Sequence, residues 1–213
     1  VACIWKKETF CFSDTSSTRR APVWSTYVLF GLLMTVFPVW LLVVMPVARG
    51  AWHFAEAKRY RAEKDVKRWE TELKLALAET PGNAAVALQY ARLCEARFRV
   101  HHRPTDFDKA VGYYEMAERL RPLDNRPALY LARLFQFAGR HTEALTAVER
   151  AIDKYPTMPE AWKIKGRILE KLDRSREAAM SYAKALELSD RCKQRERKFG
   201  DRERDLLRRR IRR

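Results

Sequence analysis

Residues Pro159–Asp190 read PEAWKIKGRILEKLDRSREAAMSYAKALELSD, and their spacing decides the fold. Small residues (Gly166, Ala178, Ala185) alternate with large ones (Trp162, Leu169, Tyr182). Two antiparallel helices need this pattern, with small side chains where they cross closely and large ones filling the gaps between. One such helix pair cannot bury its apolar face alone, so the stretch predicts copies of itself along the chain.

Copies are present. Ala132, Ala144, Ala151 and Pro156 precede Gly166, Ala178, Ala185 and Asp190 by 34 residues, and Gly139 falls in the turn between the two helices. One step earlier, Ala110, Ala117 and Pro122 repeat Ala144, Ala151 and Pro156. Ala91, in the first helix of that unit, lies 41 residues before Ala132, so the unit carries 7 extra residues, expected in its inter-helix turn within FRVHHRPTD. Leu73, Ala76 and Pro81 mark a further second-helix half. These residues resemble the W-x2-L-G-x2-Y…A-x3-F…P pattern of the 34-residue tetratricopeptide repeat. The fold class expected is all-α: a single N-terminal transmembrane helix, an α-solenoid of about three and a half helix-turn-helix repeats, and a basic C-terminal helix.

The resemblance implies a partner groove. In this family the first helix of each repeat lines the concave surface, with repeat positions 2, 5, 9 and 12 pointing into it. Position 9 is Arg92, Arg133 and Arg167; position 5 is Leu88, Leu129 and Lys163. A groove part apolar and part cationic suits an acidic segment, because guanidinium forks pair with carboxylates bidentately. The alternative is that each Arg pairs within the solenoid, for example with Glu95 or Glu170 three residues on. The family's chaperone-tail receptors carry Asn at position 9, so the Arg column argues against that role.

Ahead of the repeats, Ala21 to Ala48 are 28 consecutive uncharged residues, including LFGLLMTVFPVWLLVVMPV. A helix of about 25 residues rises ~38 Å, enough to cross a ~30 Å hydrocarbon core, so this reads as a membrane span. Trp24, Tyr27 and Trp52 suit the interfacial aromatic belts. Pro38 is expected to kink the span and Pro46 to mark its end. Lys6, Lys7, Arg19 and Arg20 precede it; Arg49, Lys58, Arg59, Arg61, Lys64, Lys67 and Arg68 follow. The excess after the span places the repeats on the inner side. No Gly or Pro separates Gly50 from Pro81, and Val66, Trp69, Leu73, Ala76 and Leu77 form a stripe, which predicts one long helix leaving the membrane. Its basic first half (Lys58, Arg59, Arg61, Lys64) is expected at anionic lipid headgroups.

The last 24 residues, Asp190 to Arg213, hold 12 Lys or Arg against 5 Asp or Glu, which is +7 of the formal net charge of +16. Arg202, Arg204, Arg208, Arg209, Arg210, Arg212 and Arg213 suit an acidic protein surface or, as the alternative, RNA phosphates. Leu206, Leu207 and Ile211 share one side of a helix that would cap the last repeat, and Gly200 is expected to let the final stretch leave the solenoid.

No catalytic motif is found, and neither a cofactor nor a metal site is expected. Four cysteines show no C-x-x-C pair; Cys94 reads as a buried thiol, and Cys3 and Cys11 pair only in an oxidising compartment. The organisation expected is an arm (1–22), a transmembrane helix (23–47), a basic stalk helix with a half repeat (48–83), repeats (84–190) and a basic capping helix and tail (191–213). The sequence starts at Val1, which reads as a processed or trimmed product. The function expected is a membrane scaffold, an accessory or assembly subunit whose partners are other subunits of a complex in an organellar inner membrane, mitochondrial, with the repeats on the matrix side. A membrane-tethered RNA or ribosome-binding factor is the rival, and a bacterial envelope-assembly protein fits the span equally well.

Overall fold

A computed structural model describes residue 31 and residues 34–38, 40–191 and 199–212. The N-terminal arm with Cys3 and Cys11, most of the apolar run before Met34, and Arg213 lie outside the described residues. The chain divides into two units, Val1–Met45 and Pro46–Arg213.

In the first unit, residues 34–38 are α-helical and Trp40–Val44 form a π-helix. Pro38 has no N–H to donate, and the π-helix begins two residues beyond it, at Trp40. Met34, Val36, Phe37, Leu41 and Leu42 are exposed. The helical run Met34–Ala62 contains an 18-residue window of mean hydropathy 1.6, of which 6% is buried; by length and composition it is long and apolar enough to cross a membrane. Pro46 does not end it. The proline sits at the second residue of a new α-helical segment just past the π-turn, a position where a missing N–H is tolerated.

Nine α-helices follow among the described residues: α1 (Met45–Ala62), α2 (Val66–Glu79), α3 (Ala84–His101), α4 (Pro104–Leu120), α5 (Arg126–Phe137), α6 (His141–Lys154), α7 (Pro159–Lys171), α8 (Ser175–Arg191) and α9 (Asp201–Ile211). The eight from α1 to α8 form four successive antiparallel pairs, and no strand occurs among the described residues. The single long helix expected between Gly50 and Pro81 is broken: α1 stops at Ala62, Lys64 turns the chain at φ 62°, and the Asp65 carboxylate caps α2 by accepting from Arg68 N–H. His53 Nδ1 lies 2.7 Å from Glu72 Oε2, and Arg61 stacks 5.6 Å from the Trp69 ring, so α1 runs back along α2. The expected half repeat is a full helix pair. Ala57, 34 residues before Ala91, is 1% exposed and extends the small-residue column by one unit.

Each pair turns on one left-handed residue: Lys64, His102, Gly139 or Asp173, with φ between 53° and 77°. This is the αL termination that satisfies orphan helix carbonyls. Between pairs the chain stops differently. The N–H groups of Thr80, Arg121 and Tyr155 donate to the carbonyls of Ala76, Ala117 and Ala151, and Pro81, Pro122 and Pro156 follow. The 7 extra residues of the α3–α4 pair are not a loop, as expected, but helix: α3 has 18 residues where α5 has 12, and only His102 and Arg103 separate it from α4. Seven residues make about two helical turns, so the insertion lengthens the helices and leaves their faces in register.

The core is one seam of Ala, Leu, Val and Ile from Ala57 to Ile168, continued by a second cluster of Leu169, Ala178, Tyr182, Ala185, Phe199 and Leu207. That second cluster shows where the C-terminal helix goes. Instead of leaving the solenoid after Gly200, α9 folds back on the last pair and covers its open apolar edge. Leu207 is 2% exposed and Ile211 packs beside it, while Leu206 faces out at 51%.

Candidate functional site

First helices of the repeats carry the residues expected to meet a partner. Arg133 on α5 and Arg167 on α7 are brought together in one cleft of about 470 Å³, lined also by Arg99, Gln136, Phe137 and Glu160. Arg133 is held there by an ion pair to Glu160, Nη2 to Oε1 2.7 Å, which ties α5 to α7. Arg167 differs. Its Nε is shielded from solvent without a hydrogen-bond partner, and it forms no ion pair among the described residues. A guanidinium so placed is an unspent donor.

Other members of the expected groove are elsewhere or otherwise occupied. Arg92 does not join the cleft; its guanidinium stacks 5.4 Å from the Tyr130 ring. Leu88 and Leu129 are 7% and 5% exposed and belong to the core, so they offer a partner little apolar surface. Lys163 pairs with Glu160 on its own helix and with Glu203 of α9 at 2.7 Å. Glu95, named above as an internal partner for Arg92, instead accepts from Arg99, at 2.7 Å, and from the Tyr114 hydroxyl, at 2.5 Å. Burial, with Glu95 beside it, pushes the Tyr114 hydroxyl far above the ordinary tyrosine range.

The basic tail is largely folded into the solenoid. Arg210 Nη1 donates to Glu170 Oε2 at 2.8 Å and to the Tyr182 hydroxyl at 2.9 Å, joining α9 to α7 and α8. Burial pushes the Tyr182 hydroxyl up to about 12. Arg204 pairs with Asp190, Arg208 with Asp205, and Phe199 N–H donates to the buried Ser189 hydroxyl at 2.8 Å. Arg202, Arg209 and Arg212 form no ion pair among the described residues. Arg202 lines a second cleft of about 410 Å³ that shares Arg167 with the first.

At the stalk, Arg59 is paired with Glu56 and Glu63, Lys58 lies 4.4 Å from the Phe54 ring, and Arg61 donates to Gln89 on α3 at 2.8 Å. Lys64 is exposed in the α1–α2 turn. Along one continuous helix, Lys58 and Arg61 stand 10 and 13 residues beyond Ala48, or about 15–20 Å of helix rise.

Cys94 is a buried free thiol that burial pushes up to about 11. No group of three or more His, Cys, Asp or Glu side chains with metal-holding geometry occurs among the described residues. Of the cleft arginines, sequence reasoning missed Arg99 and assigned Arg202 to a basic tail apart from the groove. Neither falls on the 34-residue column: Arg99 is on the two-turn extension of α3, and Arg202 on a helix that is not part of a repeat.

Residues 96–159 and 129–191 match the family model of the tetratricopeptide repeat. No curated protein sequence matches the chain. Among solved structures it is similar to MamA from Desulfovibrio magneticus RS-1, at 14% identity and TM-score 0.57 over 66% of this chain and 75% of that one. It is similar also to pilF of Pseudomonas aeruginosa, at 15% identity and TM-score 0.56 over 67% of this chain and 62% of that one. A further MamA crystal structure aligns at 21% identity and TM-score 0.55, over 63% of this chain and 75% of that one. At these identities the likeness is one of fold. Helix pairs, turn columns and family match agree that residues 96–191 are built of tetratricopeptide repeats.

Proposed function

We propose that the protein is a membrane-anchored scaffold, not an enzyme, whose concave face holds an acidic segment of a partner protein. Tetratricopeptide repeats are protein-interaction scaffolds, and stacked helix pairs expose an extended concave surface suited to this use. The observation that carries the acidic-segment reading is Arg167: a guanidinium in the cleft beside Arg133 with its Nε shielded and unpartnered. Its Nη groups, which have no acceptor among the described residues, are placed to take a partner carboxylate.

The anchor is the apolar run Ala21–Ala48, supported by the helical stretch from Met34 onward. The finer reading places the protein in an organellar inner membrane, the mitochondrial one, as an accessory or assembly subunit with its repeats on the matrix side. The excess of Lys and Arg after the run supports the orientation. Anionic lipid at the stalk belongs to the same proposal, carried by Arg49, directly after the run, rather than by the internally engaged Arg59 and Arg61.

Alkaline carbonate extraction of organellar membranes, followed by protease protection, tests the anchor and its direction. The expected result is retention in the pellet with everything beyond about Ala48 protected. Release into the supernatant would overturn the anchor, and digestion of the repeats in sealed vesicles would reverse the orientation. Replacing Arg167 by Gln is expected to detach the co-purifying partner without releasing the protein from the membrane.

A further inference from the structure

We infer that the groove takes an extended acidic segment flanked at both ends by apolar residues, and that α9 forms half of its binding surface. This rests on the groove reading above and specifies its ligand. The two clefts share Arg167, so they form one track running from α5 over α7 to α9. Its centre is cationic, with two guanidiniums, Arg167 and Arg202, lacking any ion-pair partner among the described residues. The acids along the track are already engaged: Glu160 by Arg133 and Lys163, Glu203 by Lys163. An entering carboxylate therefore meets donors without displacing an established pair.

Each cleft also has an exposed apolar side chain in its lining. Phe137, 43% exposed, lines the first cleft, and Leu206, 51% exposed, lines the second. Leu206 is the α9 leucine left out of the core while its neighbour Leu207 is buried. Ion pairs tie α5 to α7 and α7 to α9, so at about 10 Å per neighbouring helix the track is about 20 Å long, or about six residues of extended chain at ~3.3 Å each. The matching ligand has about six residues rich in Asp or Glu, with a large apolar residue before and after. An RNA strand would satisfy the arginines and stack a base on Phe137, but has no aliphatic group to set against Leu206.

The full chain in detergent micelles is titrated into fluorescein-labelled peptides of six glutamates flanked by leucines or by serines, and into a labelled single-stranded RNA. The leucine-flanked peptide is expected to bind about tenfold more tightly than the serine-flanked one. Leu206→Ala and Phe137→Ala are each expected to erode that advantage, and Arg202→Gln to weaken both peptides about tenfold. Leu206 and Arg202 are exposed, so unchanged thermal melts of these variants show that the fold is kept. Equal affinity for the two peptides, or no effect of Leu206→Ala and Arg202→Gln, overturns the flanked-segment proposal while leaving the groove in place. If Arg167→Gln weakens neither peptide, the groove reading itself fails. RNA that displaces the leucine-flanked peptide at equal concentration overturns the choice of a protein ligand.

Discussion

The ring of Tyr182 lies against the backbone of Gly166: a Cβ added at Gly166 would stand 2.5 Å from Tyr182 Cε1 and 2.8 Å from Cζ. Tyr182 is fully buried, so the ring has nowhere to retreat. Gly166→Ala is therefore expected to destabilise the last repeat by about 1–3 kcal/mol. A thermal melt of the full chain should shift down by about 2–4 °C per kcal/mol. An unshifted melt would show that α7 and α8 can separate freely.

Docking of α9 makes a separate claim on stability. Leu207→Ala should cost about 2–5 kcal/mol, as for other fully buried leucines. Tyr182→Phe keeps the ring against Gly166 and loses the hydrogen bond from Arg210, at a cost of about 1 kcal/mol. Arg208→Ala, at the exposed side of α9, should leave the melt within about 0.5 kcal/mol of the parent. If truncation after Phe199 left the melting transition in place, α9 would be a free tail and not part of the solenoid.

The left-handed turns predict a pair of opposite effects. Gly139, at φ 77°, tolerates this conformation because it has no Cβ, whereas Lys64, at φ 62°, adopts it with one. Gly139→Ala should destabilise and Lys64→Gly stabilise, each by about 1 kcal/mol, read by denaturant unfolding. Stabilisation by Gly139→Ala would mean that this turn is not left-handed.

Glu70 joins α2 to α3, and its carboxyl is held below the ordinary range by hydrogen bonding from Lys74 and by the Arg97 guanidinium, against an opposing push from burial. A depressed carboxyl contributes stability above its unfolded pKa and loses it as pH falls through the folded value. Glu70→Gln should therefore lower the melting temperature more at pH 7 than at pH 3. Equal shifts at both values would mean that the side chain acts through packing alone.

How much of this was legible in the sequence depends on whether a feature lies on the repeat. Gly166, Ala132 and Ala91 announced their helix crossings through spacing, and Pro81, Pro122 and Pro156 announced the stops between pairs. The first pair was half hidden because its turn carries Lys64 and Asp65, with no glycine or proline to mark it. The signal was there in Asp65, a helix-capping residue just ahead of the Val66 stripe, and in Ala57, one repeat length before Ala91. The insertion misled for a different reason: Phe98 to Asp106 look like loop, yet the seven extra residues are about two helical turns and extend the helix at no cost in register. Arg133 and Arg167 could be placed by periodicity, but not which of them would be left without a partner. That depends on Glu160 reaching back to Arg133, a cross-helix contact that no local spacing encodes.

The proposed occupant of the cleft between α5 and α7 is an acidic segment of a partner protein. A photo-cross-linking residue placed at Gln136, which lines that cleft, in the full chain expressed in its native membrane tests this most directly. Mass spectrometry of the adduct should identify one recurrent peptide rich in Asp or Glu, and the Arg167→Gln change should abolish it. Adducts with peptides of no shared charge, or the same acidic adduct in the Arg167→Gln protein, would contradict the account.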